Sequence, residues 1–286
     1  MTGDALEAIA RTLGLPVPFP SVEHYRRVAA AIAGRAGNGP LLAGISGPQG
    51  SGKSTMAAFV AALLEKSGLP TAVLSLDDLY LDREDRPTAL HPLFATRGVP
   101  GTHDVALGLD VIDRLFAGGG NIPRFDKARD RRRPPAEWDN FPRSAGVVLL
   151  EGWCVGAGPE DETALAAPIN RLEAEEDPAG IWRRQVNAFV AGPYRTLFDR
   201  IGFLVYLRAP SFDCVLRWRT LQERKLRALE GKRAGMDDSE LARFVSHYER
   251  LTRHLAATLP ARADLLVHLD EAQAIAGLVV RDNYVD

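Results

Sequence analysis

The chain has 286 residues, 46% of them hydrophobic, with a formal net charge of −2 and a pI near 6.3. That is enough apolar material for one large α/β domain or two small ones, and the charge balance offers no global attraction to nucleic acid or an anionic membrane. Two cysteines, Cys154 and Cys214, form neither a disulfide framework nor a metal-ligand spacing, which fits a reducing, cytoplasmic compartment.

Helical patterns run over Asp4 to Leu13 and Val22 to Ala36, separated by Pro16, Pro18 and Pro20, and read as an N-terminal appendage over 1–39. Asp4 and Glu7, with no long apolar run beside them, speak against a targeting signal, and no window approaches 18 apolar residues. The run Leu41 to Ile45 predicts a buried strand, Thr55 to Lys66 a helix, and Thr71 to Leu76 a second strand after the stop Gly68-Leu69-Pro70. From Asp77 to Gly101 the chain is irregular and rich in Asp, Arg and Pro, as functional loops are.

Asp104 to Phe116 follows as a helix, then a polar stretch with Arg129, Arg131, Arg132 and Arg133 close together. Gly146 to Leu150 makes a third strand, ending at Glu151. Thr163 to Asp199 is mostly helical in character with a break at Asp177-Pro178, and Phe203 to Leu207 is a fourth strand. Ser211 caps a basic helix to about Leu229, Asp237 or Asp238 starts another to about Leu259, and Asp264 to Leu269 is a fifth strand. Strands alternating with helices imply a parallel sheet covered on both faces.

The sharpest signal is Gly47-Pro48-Gln49-Gly50-Ser51-Gly52-Lys53-Ser54, a full G-x-x-x-x-G-K-[ST] match that a buried strand feeds and a helix, opening at Thr55, leaves. Gly47, Gly50 and Gly52 allow positive φ and close approach of the backbone to a polyphosphate, so N–H groups form an anion nest at the helix N-terminus. Lys53 then reaches the β- and γ-phosphates and the Ser54 hydroxyl ligates Mg²⁺. With only five lysines among 35 basic residues, Lys at this one position is a poor accident. A nucleoside triphosphate is the ligand such a loop takes.

In open parallel sheets, ligands bind at the carboxyl ends of the strands, where this chain places the loop, Asp77-Asp78 and Glu151. Asp77 is the candidate for accepting the proton of an attacking hydroxyl, mainly by orienting it, since phosphoryl transfer passes through a loose transition state. The alternative for Asp77 and Asp78 is an N-cap. Glu151, at the end of five apolar residues, calls for a cation and is the candidate Mg²⁺ partner. On the basic helix, Arg217, Arg219 and Arg224 are lid candidates, with Arg217 and Arg224 on one face, or else a solvated surface. Arg97, Thr102, His103, Arg124, Asp126, Lys127 and Arg129 line the polar segments and fit an anionic acceptor.

GISGPQGSGKST (44–55), SLDDLYL (75–81), TRGVPGTHD (96–104), PRFDKARDRR (123–132), VVLLEGW (147–153) and HYERLTRHL (247–255) together resemble the D-glycerate 3-kinase family of plants, fungi and bacteria, relatives of uridine kinase, phosphoribulokinase and bacterial pantothenate kinase. The resemblance covers about residues 40–270. It implies an α/β P-loop NTPase three-layer sandwich, with a five-stranded parallel sheet of kinase type, helices on both faces and a helical lid. The kinase domain would span 40–286, with lid and acceptor-binding insertions at about 77–144 and 211–250. It further implies transfer of the ATP γ-phosphate to the 3-hydroxyl of D-glycerate with Mg²⁺. By motif position Lys53, Asp77 and Arg219 would be catalytic, Glu151 and Ser54 would meet the metal, and Arg217 would join the loop 47–55 on ATP. Asp78, Tyr80, Arg97, Thr102, His103, Asp104, Arg124, Asp126 and Lys127 would surround the acceptor.

Two other readings stand beside it: a kinase of another hydroxylated metabolite, such as a nucleoside or pantothenate, and a nucleotide-dependent switch without a small acceptor. The aromatics between Asp77 and Arg133 number only Tyr80, Phe94, Phe116 and Phe125, few for gripping a base. No N-K-x-D or L-S-G-G-Q motif supports a GTPase or a transporter ATPase.

Overall fold

The computed structural model describes residues 3–17, 19–37, 39–230 and 236–281. Its centre is one sheet of six strands: β1 (Leu41–Ser46), β2 (Thr71–Ser75), β3 (Val147–Gly152), β4 (Phe203–Arg208), β5 (Leu265–Leu269) and β6 (Ile275–Val280), in the spatial order β6-β5-β4-β1-β3-β2. The first five run parallel. β6 adds an antiparallel edge strand with a register shift between Ile275 and Gly277, so the five-stranded expectation holds for the parallel part and falls one strand short of the whole.

The strands are apolar at successive positions because both faces are covered. The pleat sends Ala43, Ile45, Val147, Leu149, Val205 and Leu207 to one face, where they pack with Met56, Phe59 and Val60 of α3 (Lys53–Lys66) and with Trp218 of α8 (Phe212–Glu230). Leu42, Val148, Leu150 and Tyr206 face the other side, against Val111, Ile112 and Leu115 of α4 (Val105–Ala117) and Tyr248, Leu251 and Leu255 of α9 (Asp238–Thr258). Three layers result. α1 (Gly3–Thr12) and α2 (Val22–Ala36), the stretch read as an appendage, contribute Leu6, Ile9, Tyr25, Val28 and Ile32 to the α3 face.

The stretch 77–144 carries more structure than its composition foretold: four short 3-10 turns, the first opening at Leu76, together with α4 and two small antiparallel pairs, 120–122 with 139–141 and 125–126 with 131–132. The helical segment before β4 is in pieces, α5 (Arg171–Glu176), α6 (Ile181–Phe189) and α7 (Arg195–Phe198), the last two joined across a wide turn at Gly192-Pro193. Asp237 caps α9 in a full capping box with Glu240. No helix among the described residues is long and apolar enough to cross a membrane.

Candidate active site

The loop between β1 and α3 lies at the carboxyl edge of the sheet. Gly50 and Gly52 take φ of +79° and +84°. Gly47 does not. It is needed for space, because a Cβ there would stand 2.8 Å from Ser51 Oγ and 2.9 Å from Leu207 Cβ. The Gly50 carbonyl accepts a bond from the Gln273 side chain (3.1 Å), tying the β5–β6 turn to the loop. Lys53, Ser54 and Thr55 form the first turn of α3, with no acidic side chain to oppose an anion at this positive helix end.

Glu151 lies inside β3, one residue before its end at Gly152, rather than just beyond the strand. Its Oε1 accepts hydrogen bonds from Ser54 Oγ (2.9 Å) and Ser75 Oγ (2.8 Å). Its Oε2 is buried without a hydrogen-bond partner. A buried carboxylate with an orphan oxygen beside a loop hydroxyl fits a hydrated Mg²⁺, which keeps several waters and takes further oxygens from phosphate. No cluster of three or more His, Cys, Asp or Glu gathers among the described residues, so a cation there would have only Ser54 and Glu151 as protein donors and would need phosphate and water to complete its shell.

Asp77 sits in the 3-10 turn Leu76–Leu79, and its own N–H donates to Ser75 Oγ (3.3 Å), so the cap of this turn is Ser75 and not the aspartate. Its carboxylate has two other partners: Tyr80 donates its OH to Oδ1 and Lys127 Nζ meets Oδ2, each at 2.6 Å. Burial pushes this carboxyl upward, but the charges of Lys127 and Lys53 outweigh it and hold the pKa at about 2. Burial and the adjacent Asp77 charge drive the Tyr80 phenol well above its usual value. Asp78 points elsewhere, accepting from Arg124 Nη1 (2.7 Å) and the Phe125 N–H (3.0 Å), and so anchors the 124–132 hairpin.

The remaining predicted acceptor residues divide by what their polar atoms already hold. Arg97 reaches Asp130 (2.6 Å), whose carboxylate is also gripped by the buried Arg86 at 2.6 and 2.9 Å, so two guanidinium groups share one carboxylate and positive charge is left over. Arg124 meets Asp139 as well as Asp78. Asp126 accepts the N–H groups of Ala128 and Arg129 in a local turn. Thr102 is fully buried and closes the loop, donating to the Val99 carbonyl and accepting from the Gly98 N–H. Asp104 caps α4 through the Leu107 N–H and takes Arg132 Nη2 at 3.2 Å. His103 is buried against Tyr194 OH (2.5 Å) and packs 4.9 Å from the Tyr80 ring; burial lowers its pKa to about 4, so it is neutral.

On α8 the arginines part company. Arg217 bonds Cys214 Sγ and Glu271 (3.0 Å), on the side of the β5–β6 turn. Arg219 pairs with the buried Glu223 and lies 5.8 Å over the Phe244 ring, close enough for its charge to act on the Tyr248 phenol. Arg224 is exposed. Sequence reasoning missed Ser75, Asp130, Tyr248 and Gln273. Ser75 stands inside the SLDDLYL motif, and Tyr248 inside HYERLTRHL, but neither carries a signal for a partner far along the chain.

No family model matches the chain. It is 34% identical over 223 residues to "Uncharacterized kinase mug58" of Schizosaccharomyces pombe, a match spanning 73% of this chain and 78% of that one. It is 28% identical over 227 residues to "D-glycerate 3-kinase, chloroplastic" of Arabidopsis thaliana, spanning 73% of this chain but 46% of the plant protein. Among solved structures, D-glycerate 3-kinase from Cryptococcus neoformans superposes with a TM-score of 0.73 at 23% identity, covering 90% of this chain and 99% of the other. The YGR205w protein gives 0.71 at 24% identity, covering 91% and 96%. These two likenesses establish the P-loop kinase fold.

Proposed function

Because this chain belongs to the D-glycerate 3-kinase family of P-loop kinases, we propose that it transfers the γ-phosphate of ATP to the 3-hydroxyl of D-glycerate, yielding 3-phosphoglycerate and ADP. The observation that carries this reading is the Asp77 carboxylate, held between Tyr80 OH and Lys127 Nζ and within the field of the phosphate-loop lysine.

The division of labour follows from the side chains. The loop 47–55 presents N–H groups to the triphosphate, and Lys53 supplies charge at the phosphoryl group being transferred. Ser54 and Glu151 are the residues that would hold Mg²⁺, which when bound neutralises phosphate charge. Asp77, ionised at neutral pH, accepts a hydrogen bond from the acceptor hydroxyl and so aims the oxygen at phosphorus. With a pKa of about 2 it is a weak base, and orientation is its main contribution because the transition state is loose and early deprotonation gains little.

The acceptor's carboxylate needs cations, and Arg97 is the group best placed to supply one. Its guanidinium is positioned by Asp130 while Arg86 already balances much of that aspartate's charge. Lys127, bound to the second oxygen of Asp77, is more than half exposed, so it can meet a small anion without losing its partner. Arg219, resting on Phe244 and Glu223, is the lid cation for the transferred phosphoryl group.

The test is ADP release by the purified protein in Mg²⁺-ATP, with and without D-glycerate. Strong stimulation by D-glycerate supports the proposal. Stimulation only by uridine or pantothenate replaces the acceptor and keeps the kinase.

A further inference from the structure

We propose that Tyr194 is a positioning residue that fixes the tautomer of His103, so that the imidazole presents its Nε2–H to an oxygen of the bound acceptor. The inference rests on the reading of the Asp77 site as the acceptor site and deepens it, because it names a neutral donor there and the residue that holds this donor in the right form.

Tyr194 closes the wide turn Val190–Tyr194 between α6 and α7 and is buried. Its hydroxyl oxygen accepts the Gly101 N–H at 3.1 Å and lies 2.5 Å from His103 Nδ1. A phenol has one proton to donate, and among the described residues the only acceptor within reach of it is that Nδ1. Nδ1 must then carry a lone pair, and the neutral ring keeps its hydrogen on Nε2. The opposite tautomer would leave the phenol proton buried without an acceptor. Gly101 allows the close approach: at φ +103°, a Cβ there would stand 2.5 Å from Phe189 Cδ2.

The backbone sends this ring toward the site. Tyr80 and His103 face each other in an isolated antiparallel bridge, flanked by bonds from the Leu81 N–H to the Thr102 carbonyl (2.9 Å) and from the Asp104 N–H to the Leu79 carbonyl (2.7 Å). Facing residues of such a pair project to the same side, and the two rings lie 4.9 Å apart. Tyr80 extends to Asp77, its OH 2.6 Å from Oδ1, so His103 runs along the same wall. Phe125 packs edge-on against Tyr80 at 5.2 Å, and Arg97 stands 5.9 Å over Phe125. The histidine therefore shares its wall with the carboxylate that would aim the hydroxyl and the guanidinium that would hold the acceptor's charge.

His103 Nε2 is buried without a hydrogen-bond partner. The His103 and Tyr80 planes are 36° apart, far from edge-on, so the N–H is not directed into the Tyr80 ring. A buried donor left unpaired is unfavourable, and an arriving oxygen relieves it, whereas a molecule without that oxygen does not. Unlike Arg97 and Lys127, this donor is uncharged, so it reads a lone pair and adds no further positive charge beside Asp77.

The experiment has two arms on the whole protein. The first needs no ligand: NMR of the histidine ring nitrogens, isotope-labelled, assigns the tautomer. Native His103 shows a lone pair on Nδ1 and a hydrogen on Nε2 from about pH 6 to pH 8, and Tyr194→Phe yields a mixture of tautomers. A native ring with its hydrogen on Nδ1, or a Phe variant that keeps the native tautomer, overturns the proposal.

The second arm is kinetic, with D-glycerate, uridine and pantothenate each tried as acceptor and the one that stimulates ADP release used. Tyr194→Phe raises the KM for that acceptor about ten-fold and leaves the KM for ATP within about two-fold. A merely structural tyrosine would lower the amount of folded enzyme and move neither constant, which overturns the proposal. If Tyr194→Phe fails to fold, His103→Gln and His103→Leu decide: the glutamine amide supplies a donor near the Nε2 position and keeps the acceptor KM within a few-fold, while leucine raises it about ten-fold or more. Equal KM values in these two variants overturn the proposal. Should D-glycerate fail as acceptor, the proposed function falls, while the tautomer measurement still decides the part assigned to Tyr194.

Discussion

Lys127 Nζ lies 2.6 Å from Asp77 Oδ2, although the two residues are 50 positions apart in sequence, one on the turn after β2 and the other on the small hairpin over 125–132. The pair closes the hairpin over the site and fixes the carboxylate's second oxygen while Tyr80 fixes the first. Two donors on one carboxylate leave it little rotational freedom, which is what an orienting group requires.

Asp77→Asn keeps the shape and removes the charge. Turnover is expected to fall by about 10² or more while affinity for the nucleotide stays within a few-fold, because the side chain acts on the acceptor oxygen and not on ATP. Steady-state kinetics with a separate measurement of nucleotide binding checks this. Near-normal turnover removes the role assigned to Asp77.

Lys127→Met takes away the largest of the influences that lower the Asp77 pKa. The native carboxyl, with a pKa of about 2, is ionised over the whole working range, so it sets no acidic limb there. In the variant its pKa rises and the acidic limb of kcat/KM moves to higher pH, measurable between about pH 4 and pH 8. An unshifted limb would mean that Lys127 does not control this carboxylate.

Ser75→Ala removes one of the two hydrogen bonds on Glu151 Oε1 and leaves the other, from Ser54, in place. The carboxylate then turns more freely, and the Mg²⁺ concentration for half-maximal activity is expected to rise about 10-fold, at the low end of the range for losing a partner of a metal-binding group. A magnesium titration of activity gives the answer, and an unchanged midpoint would take Ser75 out of the metal site.

His103 and His247 are both buried, 5% and 3% exposed, and burial lowers each pKa to about 4 from 6.5. Between those values the unfolded chain binds more protons than the folded one, so stability is complete above about pH 6.5 and declines as pH falls toward 4. Each histidine contributes a slope of up to about 1.4 kcal/mol per pH unit in that window. His247→Gln, which keeps a donor for the Arg243 carbonyl, should flatten the acid side of a melting-temperature profile. An unchanged profile would mean that His247 is protonated in the fold without cost.

Features that lie close together along the chain are the ones its sequence reveals. The loop Gly47 to Ser54, the five parallel strands and the caps at Ser211 and Asp237 all follow from local pattern, since an apolar run or a capping residue declares itself within a few positions. β6 escapes such reading because its sequence, Ile275–Val280, includes Gly277 and gains its order from pairing with β5. Gly47 is required, as the motif indicates, but for space rather than for positive φ: Leu207, 160 positions away, supplies the constraint.

Within the site, residue types were legible and their pairings were not. Arg97, Arg124 and Lys127 announced an anion-binding region, but nothing local could say that Asp130, Asp78 and Asp77 would hold them. Thr102 and Asp104 belong to the same motif as Arg97, yet their polar atoms build the loop and the α4 cap. Long-range hydrogen bonds are decided by topology, and the topology becomes visible only when β1, β2 and β3 stand side by side.

The most direct test of the central claim is the initial rate of ADP formation from Mg²⁺-ATP with D-glycerate as the sole added acceptor, with the product identified by its mass and its position of phosphorylation. A glycerate 3-kinase with Asp77 as its orienting carboxylate should run at least about 10²-fold above the acceptor-free background and place phosphate on the 3-hydroxyl. ADP formation that D-glycerate leaves unchanged, in a protein that binds nucleotide, would contradict it.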